Sequence, residues 1–497
     1  MSKESRRMQL RRIISLSAGT ALTLTGFTAC GGGSGDGGDG SATMSSSVGI
    51  TESTDTGGDG DGDEDGDGGD PCPPGGCLDV AVGGTGDDGG PGIGTGAVDL
   101  LFVIDNSGTM AEEQVNLAQN FAGLVEQLNN LEDSMGNPVQ GDIQIMVTTT
   151  DMDHSLCTDF HPTGYTPAKG APVATPCLDR LSDFQNNTSD AFGSCLSVCE
   201  QSVTLQNGDQ FIKWNGDNTN INATDLSNNP LSGVAAVTAA LECIGPQGIS
   251  GCGYEAPLEA MIQALNPSQD WNSGVEPFLR DGSLLAIAVV TDEADCSTRP
   301  DGQIYFYDQM FDDYWPVDPD TMTKKRATSA TCWHAGVDCG TPDMNGIYAD
   351  CTAADNGVLH SVYERYVNYL KNALNRDVIM LGILGVPEVT SHNPEPPFEP
   401  TAGGVLDLVY RDWQAADILA GDTDTAEDKT FDFGIGPGCT NIVTGQAIPP
   451  VRVREVCESL DEENSIKCCI ESICDDDFSP AIGCLTGAIE ETIVPAG

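Results

Sequence analysis

The sequence predicts an α/β fold: a doubly wound, mainly parallel sheet that carries long, disulfide-rich insertions. Three observations point to it. Short apolar runs recur that are nearly continuous rather than alternating, helical patterns lie between them, and the gaps that separate them are long and rich in cysteine.

The apolar runs are DLLFVI (99–104), IQIMV (143–147), LLAIAVV (284–290) and VIMLGIL (378–384). Continuous short runs mark strands buried on both faces, as in parallel sheets. In 111–131, Leu117, Phe121, Leu124, Val125, Leu128 and Leu131 recur at helical spacing, and in 357–374 so do Leu359, Val362, Tyr366, Tyr369 and Leu370. PLEAMIQAL (257–265) places Pro257 where a helix's first turn tolerates it. Strands alternating with helices give a doubly wound sheet.

The folded domain is expected over 97–491, with insertions at about 152–252, 297–356 and 386–455. The first holds Cys157, Cys177, Cys195, Cys199, Cys243 and Cys252, and the second holds Cys332, Cys339 and Cys351. Loops this long are uncommon in compact domains unless they are functional. Disulfides would hold them in shape without a core of their own. The C-terminal part carries five more cysteines and ends in a helix capped at Ser479-Pro480. The pairing cannot be read from sequence, and the five histidines are too scattered to suggest a zinc site.

Residues 1–29 read as an export signal: Arg6, Arg7, Arg11 and Arg12 precede an apolar run too short for a good membrane span. Its ending, FTAC, resembles a bacterial lipobox, with Cys30 as the lipidated residue and Phe27 where Leu is usual. Signal-peptidase cleavage without a lipid is the alternative. Residues 30–96 form a Gly-, Ser- and Asp-rich tether with almost nothing to bury. Such a chain spans roughly 45 Å on average, from about 5–6 Å × √n. Its run DGDGDEDGDGGD lacks the closing Glu of an EF-hand and reads as a solvated spacer. Within it, Cys72 and Cys77 are spaced to close a small ring.

The formal net charge is −55, and no Lys or Arg occurs between Arg12 and Lys169. Tracking phosphates requires basic side chains, so nucleic acid and anionic membrane surfaces are poor partners, and cations or basic and neutral partners fit better. Export with many cysteines implies an oxidising compartment.

Ligands of open parallel sheets bind beyond the carboxyl ends of the strands. There the sequence places Asp105, Ser107 and Thr109, then Thr148, Thr149, Thr150 and Asp151, then Thr291, Asp292, Glu293 and Asp295. Oxygen-only donors suit Mg²⁺, Mn²⁺ or Ca²⁺. The alternative for Asp105 and Ser107 is to cap the helix that starts near residue 110. Glu293 and Asp295 read as solvated loop, and Asp151 and Asp153 as edge residues outside the ligand set.

DLLFVIDNSGTM resembles the first strand and metal loop of a von Willebrand factor type A (VWA) domain, whose motif is Asp-x-Ser-x-Ser. Asp105, Ser107 and Thr109 match it, with Thr keeping the last hydroxyl. LLAIAVVTDEADCS is similar to the family's fourth strand, which puts Asp292 in the role of the completing Asp. The family's Thr before a middle helix falls on Glu255 in GCGYEAPLEAM. The resemblance thus implies a metal-ion-dependent adhesion site of Asp105, Ser107, Thr109 and Asp292, with Glu255 as a further ligand. A Glu there would tighten cation binding and reduce the positive charge left for a partner.

The expected function is a cell-envelope-anchored, cation-dependent binding module, with Mg²⁺ first, then Mn²⁺ or Ca²⁺. Its partner would be a protein or matrix component presenting a carboxylate, and its membrane contact would be through the lipid alone. The protein is expected not to be an enzyme: Gly-x-Ser-x-Gly, His-Glu-x-x-His and a phosphate-cradling loop are all missing. The alternatives are an exported metal-dependent hydrolase, or an envelope protein whose metal serves folding only.

Overall fold

The computed structural model describes residues 96–133, 139, 141–157, 161–186, 190–463 and 465–493. The export segment, Cys30, and the tether through residue 95 with Cys72 and Cys77 lie outside the described residues.

The elements that build the sheet and its faces are β1 (Ala97–Ile104), α1 (Ala111–Asn129), β2 (Asp142–Thr149), β3 (Ile212–Asn215) and β4 (Asn218–Thr219). They continue with α2 (Gly233–Ile244), α3 (Pro257–Ala264), β5 (Leu284–Val290), β6 (Val378–Leu384), α4 (Val451–Glu458), β7 (Cys468–Ser472) and α5 (Ser479–Thr492). One seven-stranded sheet runs in the order β7-β6-β5-β1-β2-β3-β4. The strands from β7 to β2 are parallel, and β3 and β4 add an antiparallel edge.

Side chains alternate across each strand, so β1 feeds two cores. Val98, Leu100, Phe102 and Ile104 pack with α1, α2 and α5. Leu101 and Val103 face the core that holds α3, α4 and Tyr366, Tyr369 and Leu370. The expected helix over 357–374 forms from Val362 as two π-type segments, Val362–Val367 and Tyr369–Ala373. Ser479 does not cap α5; Phe478 holds that position, and Pro480 sits in the first turn.

The insertions are not coreless. The first supplies β3, β4 and α2 to the sheet and its layer, and Phe184, Trp214, Val237 and Leu241 join the main core. The second builds a small core of its own around Phe306, Trp315 and Cys332. All sixteen described cysteines are paired: 157–252, 177–195, 199–243, 296–332, 339–351, 439–474, 457–468 and 469–484. Cys468 and Cys469 are consecutive on β7, so they point to opposite faces. Each bonds the helix on its own side, Cys457 of α4 and Cys484 of α5, and the edge strand is stapled to both layers. Among the described residues no helix is long and apolar enough to cross a membrane.

Candidate metal centre

The strand order reverses between β1 and β5, where chain-adjacent strands diverge to opposite sides. A crevice at such a switch point is where open α/β sheets bind ligands. The ends of β1 and β5 meet there: Asp105 N–H donates to Val290 O at 2.9 Å. Thr291 Oγ1 donates to Asp105 Oδ2 at 2.5 Å, and Ser107 N–H donates to Asp105 Oδ1 at 2.8 Å. The Ser107 and Thr109 hydroxyls lie 3.1 Å apart.

Neither Asp105 nor Ser107 caps α1, whose start at Met110 has no side-chain cap. Both side chains are instead buried under the loop. Gln114 of α1 holds that loop from behind, donating to Asp105 O at 2.8 Å and Gly248 O at 2.6 Å. The segment around Gly251 closes on it so tightly that a Cβ would stand 2.3 Å from Asn106 Oδ1. Only glycine permits that approach.

Five buried carboxyls converge on this edge: Asp105, Glu113, Glu255, Asp292 and Glu293. Among the described residues none of the five pairs with a Lys or Arg. Burial disfavours ionisation, and like charges add to the effect. Burial raises the Asp105 carboxyl to about 6, against the bonds from Thr291 and Ser107. Burial and then the Asp105 charge push Asp292 to about 8, with the Thr109 hydroxyl beside it working the other way. Burial and the Asp292 charge push Glu113 up to about 10. Glu255 and Glu293 are driven well above the usual carboxylate range, again by burial first.

Glu255 is fully buried just before α3, and its Oε2 accepts a hydrogen bond from Thr150 Oγ1. After burial, the strongest influence on it is Asp105, followed by Asp151. Asp151 is itself fully buried at the end of β2. Tyr165 Oη donates to Asp151 Oδ2 and accepts from Asn106 Nδ2, both at 2.8 Å. His161 Nε2 lies 3.1 Å from the same Asp151 oxygen. A segment of the first insertion therefore reaches back and ties β2 to the loop after β1.

The donors at this edge match a hard divalent cation in chemistry, though as they stand not in spacing. They are carboxylates and hydroxyls alone. Three carboxylate oxygens, Asp292 Oδ1, Glu255 Oε1 and Glu113 Oε2, are buried with no hydrogen-bond partner. Buried polar atoms are normally satisfied, and a cation answers both the orphaned oxygens and the repulsion. Ser107, Thr109, Asp105 and Asp292 form one connected group, with Glu255 next to Asp105 from the other side. Among the described residues the one set of three His, Cys, Asp or Glu side chains with ligand atoms within 4.8 Å of each other is Cys177, Cys195 and Cys199. Those sulfurs are in disulfides, and without a thiolate they do not hold a metal. Asp105, Asp292 and Glu255 accordingly do not bring three oxygens that close together.

Thr109 and Asp292 open into a cleft of about 180 Å³, whose walls include Glu113, Glu293, Trp413 and Lys429. Glu293 and Asp295 are not solvated loop. Glu293 is buried in the cleft wall, and Asp295 is fully engaged by Arg452 Nε at 2.8 Å, Ser297 Oγ at 2.6 Å and the Leu258 N–H of α3 at 3.2 Å. Sequence reasoning did not single out Glu113, although a signal was present. It lies one turn before Leu117 on the same apolar stripe, and an acidic residue on a stripe is out of place. Trp413 and Lys429 arrive from the third insertion, which carries no local sign of its destination.

The chain is thus an α/β protein with an all-oxygen, carboxylate-rich crevice at the switch point of its sheet. A scan against protein-family models finds no match to the chain, and a search of curated proteins finds none.

Proposed function

We propose that this chain is an exported, divalent-cation-dependent protein-binding module built on a VWA-type, Rossmann-like domain. The reading rests on one observation: buried, unpaired carboxylates with orphaned oxygens meet two hydroxyls at the sheet's switch point and open into a small cleft. The central β1, the order of the parallel strands around it and the antiparallel edge support the fold assignment.

Asp105 and Asp292 hold the cation and balance its charge, and Ser107 and Thr109 add neutral oxygens that bring no further negative charge. The bound cation supplies a positive centre that attracts a carboxylate of a partner protein. The cleft volume of about 180 Å³ is below the roughly 300–1,000 Å³ of small-molecule pockets. It suits one inserted side chain better than a substrate, which favours binding over catalysis. Glu255 lowers the net charge of the site and so tunes how strongly a partner is gripped. Eight disulfides suit an oxidising environment, and Cys30 would anchor the module to the cell envelope through lipid.

Calorimetry with Mg²⁺, Mn²⁺ and Ca²⁺ tests the site. The wild-type chain is expected to bind, and Asp105→Ala to abolish binding at this position while the fold persists. Unchanged affinity in that variant would sink the assignment.

A further inference from the structure

The cleft beside Asp292 contains more carboxyls than one divalent cation can balance once they ionise. Asp105 and Asp292 together neutralise a single divalent ion. Glu113 and Glu293 remain, 2% and 8% exposed, with no Lys or Arg paired to either among the described residues. The cleft's own cation is already committed: Lys429 Nζ binds Asp422 at 2.8 Å and Asp424 at 3.2 Å, and lies over the Phe433 ring. Glu113 Oε2 and Asp292 Oδ1, from two different elements lining this one cleft, are both buried without a partner. An isolated buried carboxylate is strongly unfavourable unless paired or metal-bound. A partner's carboxylate would also be repelled from a cleft in this state, so one cation leaves the binding reading incomplete.

We propose that a second divalent cation binds in this cleft, held by Glu113 and Glu293, with Asp292 shared between the two ions. The inference rests on the first site as read above. Glu113 comes from the first turn of α1 and Glu293 from the loop after β5, so the cation bridges the two elements that frame the metal loop. The three carboxylates do not place one oxygen each within 4.8 Å of the others. Binding therefore requires the Glu113 and Glu293 side chains to change rotamer toward Asp292. With the second ion, the four carboxylates of Asp105, Asp292, Glu113 and Glu293 face four positive charges, and Glu255 and Asp151 lie outside that balance. A carboxylate-bearing partner then meets a cleft that Glu113 and Glu293 no longer make negative.

Trp413 lines the same cleft and supplies an optical reporter. Terbium(III), which occupies oxygen-rich calcium sites, emits when a nearby indole is excited. Calorimetry with Mn²⁺ and terbium titration of the full chain are expected to give two ions per chain. Glu113→Gln/Glu293→Gln is expected to give one, and to lose most of the Trp-sensitised emission. Asp105→Ala is expected to lose the other ion. Replacing buried acids by neutral amides preserves shape, and each single variant serves if the double does not fold. A wild-type count of one, lost in Asp105→Ala, would overturn the second site and leave the first intact. A count of two that the Gln variants do not change would also overturn it. A count that Asp105→Ala does not change would instead overturn the first site.

Discussion

Asp292→Asn should change the protein's stability in opposite directions with and without cation. Asp292 is 3% exposed, has one oxygen unpaired and, among the described residues, has no basic partner. Its carboxyl is raised from 3.8 to about 8. A raised folded-state value means the native state holds a proton that the unfolded chain gives up. The contribution is fully present below about pH 4 and is lost as pH rises through about 8. At pH 7 in chelator the loss is on the order of 4 kcal/mol, from about 1.4 kcal/mol per unit. Asparagine has the shape of the neutral acid and does not ionise. Its extra buried N–H donors cost about 1–3 kcal/mol, so a net gain of about 2 kcal/mol remains.

With Mg²⁺ at one hundred times its Kd, wild type gains about 2.7 kcal/mol by mass action, and a variant lacking a ligand gains little. The melting order should therefore invert. In EDTA at pH 7, Asp292→Asn melts above wild type, and in saturating Mg²⁺ at that pH it melts below. The assay is thermal unfolding at pH 5, pH 7 and pH 8 under both conditions. A wild type whose chelated stability does not fall between those pH values would refute the electrostatic argument. A variant less stable than wild type in chelator at pH 8 would do the same.

Two further outcomes can be checked. Arg452→Met leaves Asp295 buried without its cation and is expected to cost about 3–5 kcal/mol in denaturant unfolding. Asp295→Leu/Arg452→Met should restore most of this; a double variant no better than the single would place the cost elsewhere. Tyr165→Phe removes the hydroxyl that joins Asn106 to Asp151. Losing that bridge should cost about 1 kcal/mol, or about fivefold in cation Kd by calorimetry. An unchanged Kd would mean that Tyr165 does not position the metal loop.

The parts of this molecule legible in the sequence are those whose cause is local. β1, β2, β5 and β6 are buried on both faces, and nothing but continuous apolar runs satisfies that. DNSGT packs its oxygens into five residues, and Thr291-Asp292 follows a strand directly, so topology alone brings the two together. β3 is four residues long with Asn215 exposed, too short for alternation to stand out from loop. β7 opens on Cys468 and Cys469, which read as a disulfide tail until their opposite faces are known. Glu293 and Asp295 look alike in the sequence, as acids in a polar run after a strand. One lies in a cleft wall and the other pairs with Arg452, 157 residues away. Burial there is set by the third insertion, and no local pattern encodes where that insertion lands.

This dependence on distant segments bears on whether the cation serves only folding. A folding-only metal would have to organise its own surroundings, as zinc does in small domains. Here the surroundings are fixed by other means. Gln114 and Gly251 hold the loop after β1, Cys157–Cys252 ties the first insertion close to it, and Cys439–Cys474 secures the short hairpin of Cys439–Asn441 and Gly445–Ala447, whose Gly445 and Gln446 line the cleft. Without cation the acids can be neutralised by protons, as their raised values indicate. The loop is therefore held in place without a cation, and an ion that enters has to displace protons rather than organise the fold. On the function proposed above, that suits a site that takes up a cation and then grips an incoming group.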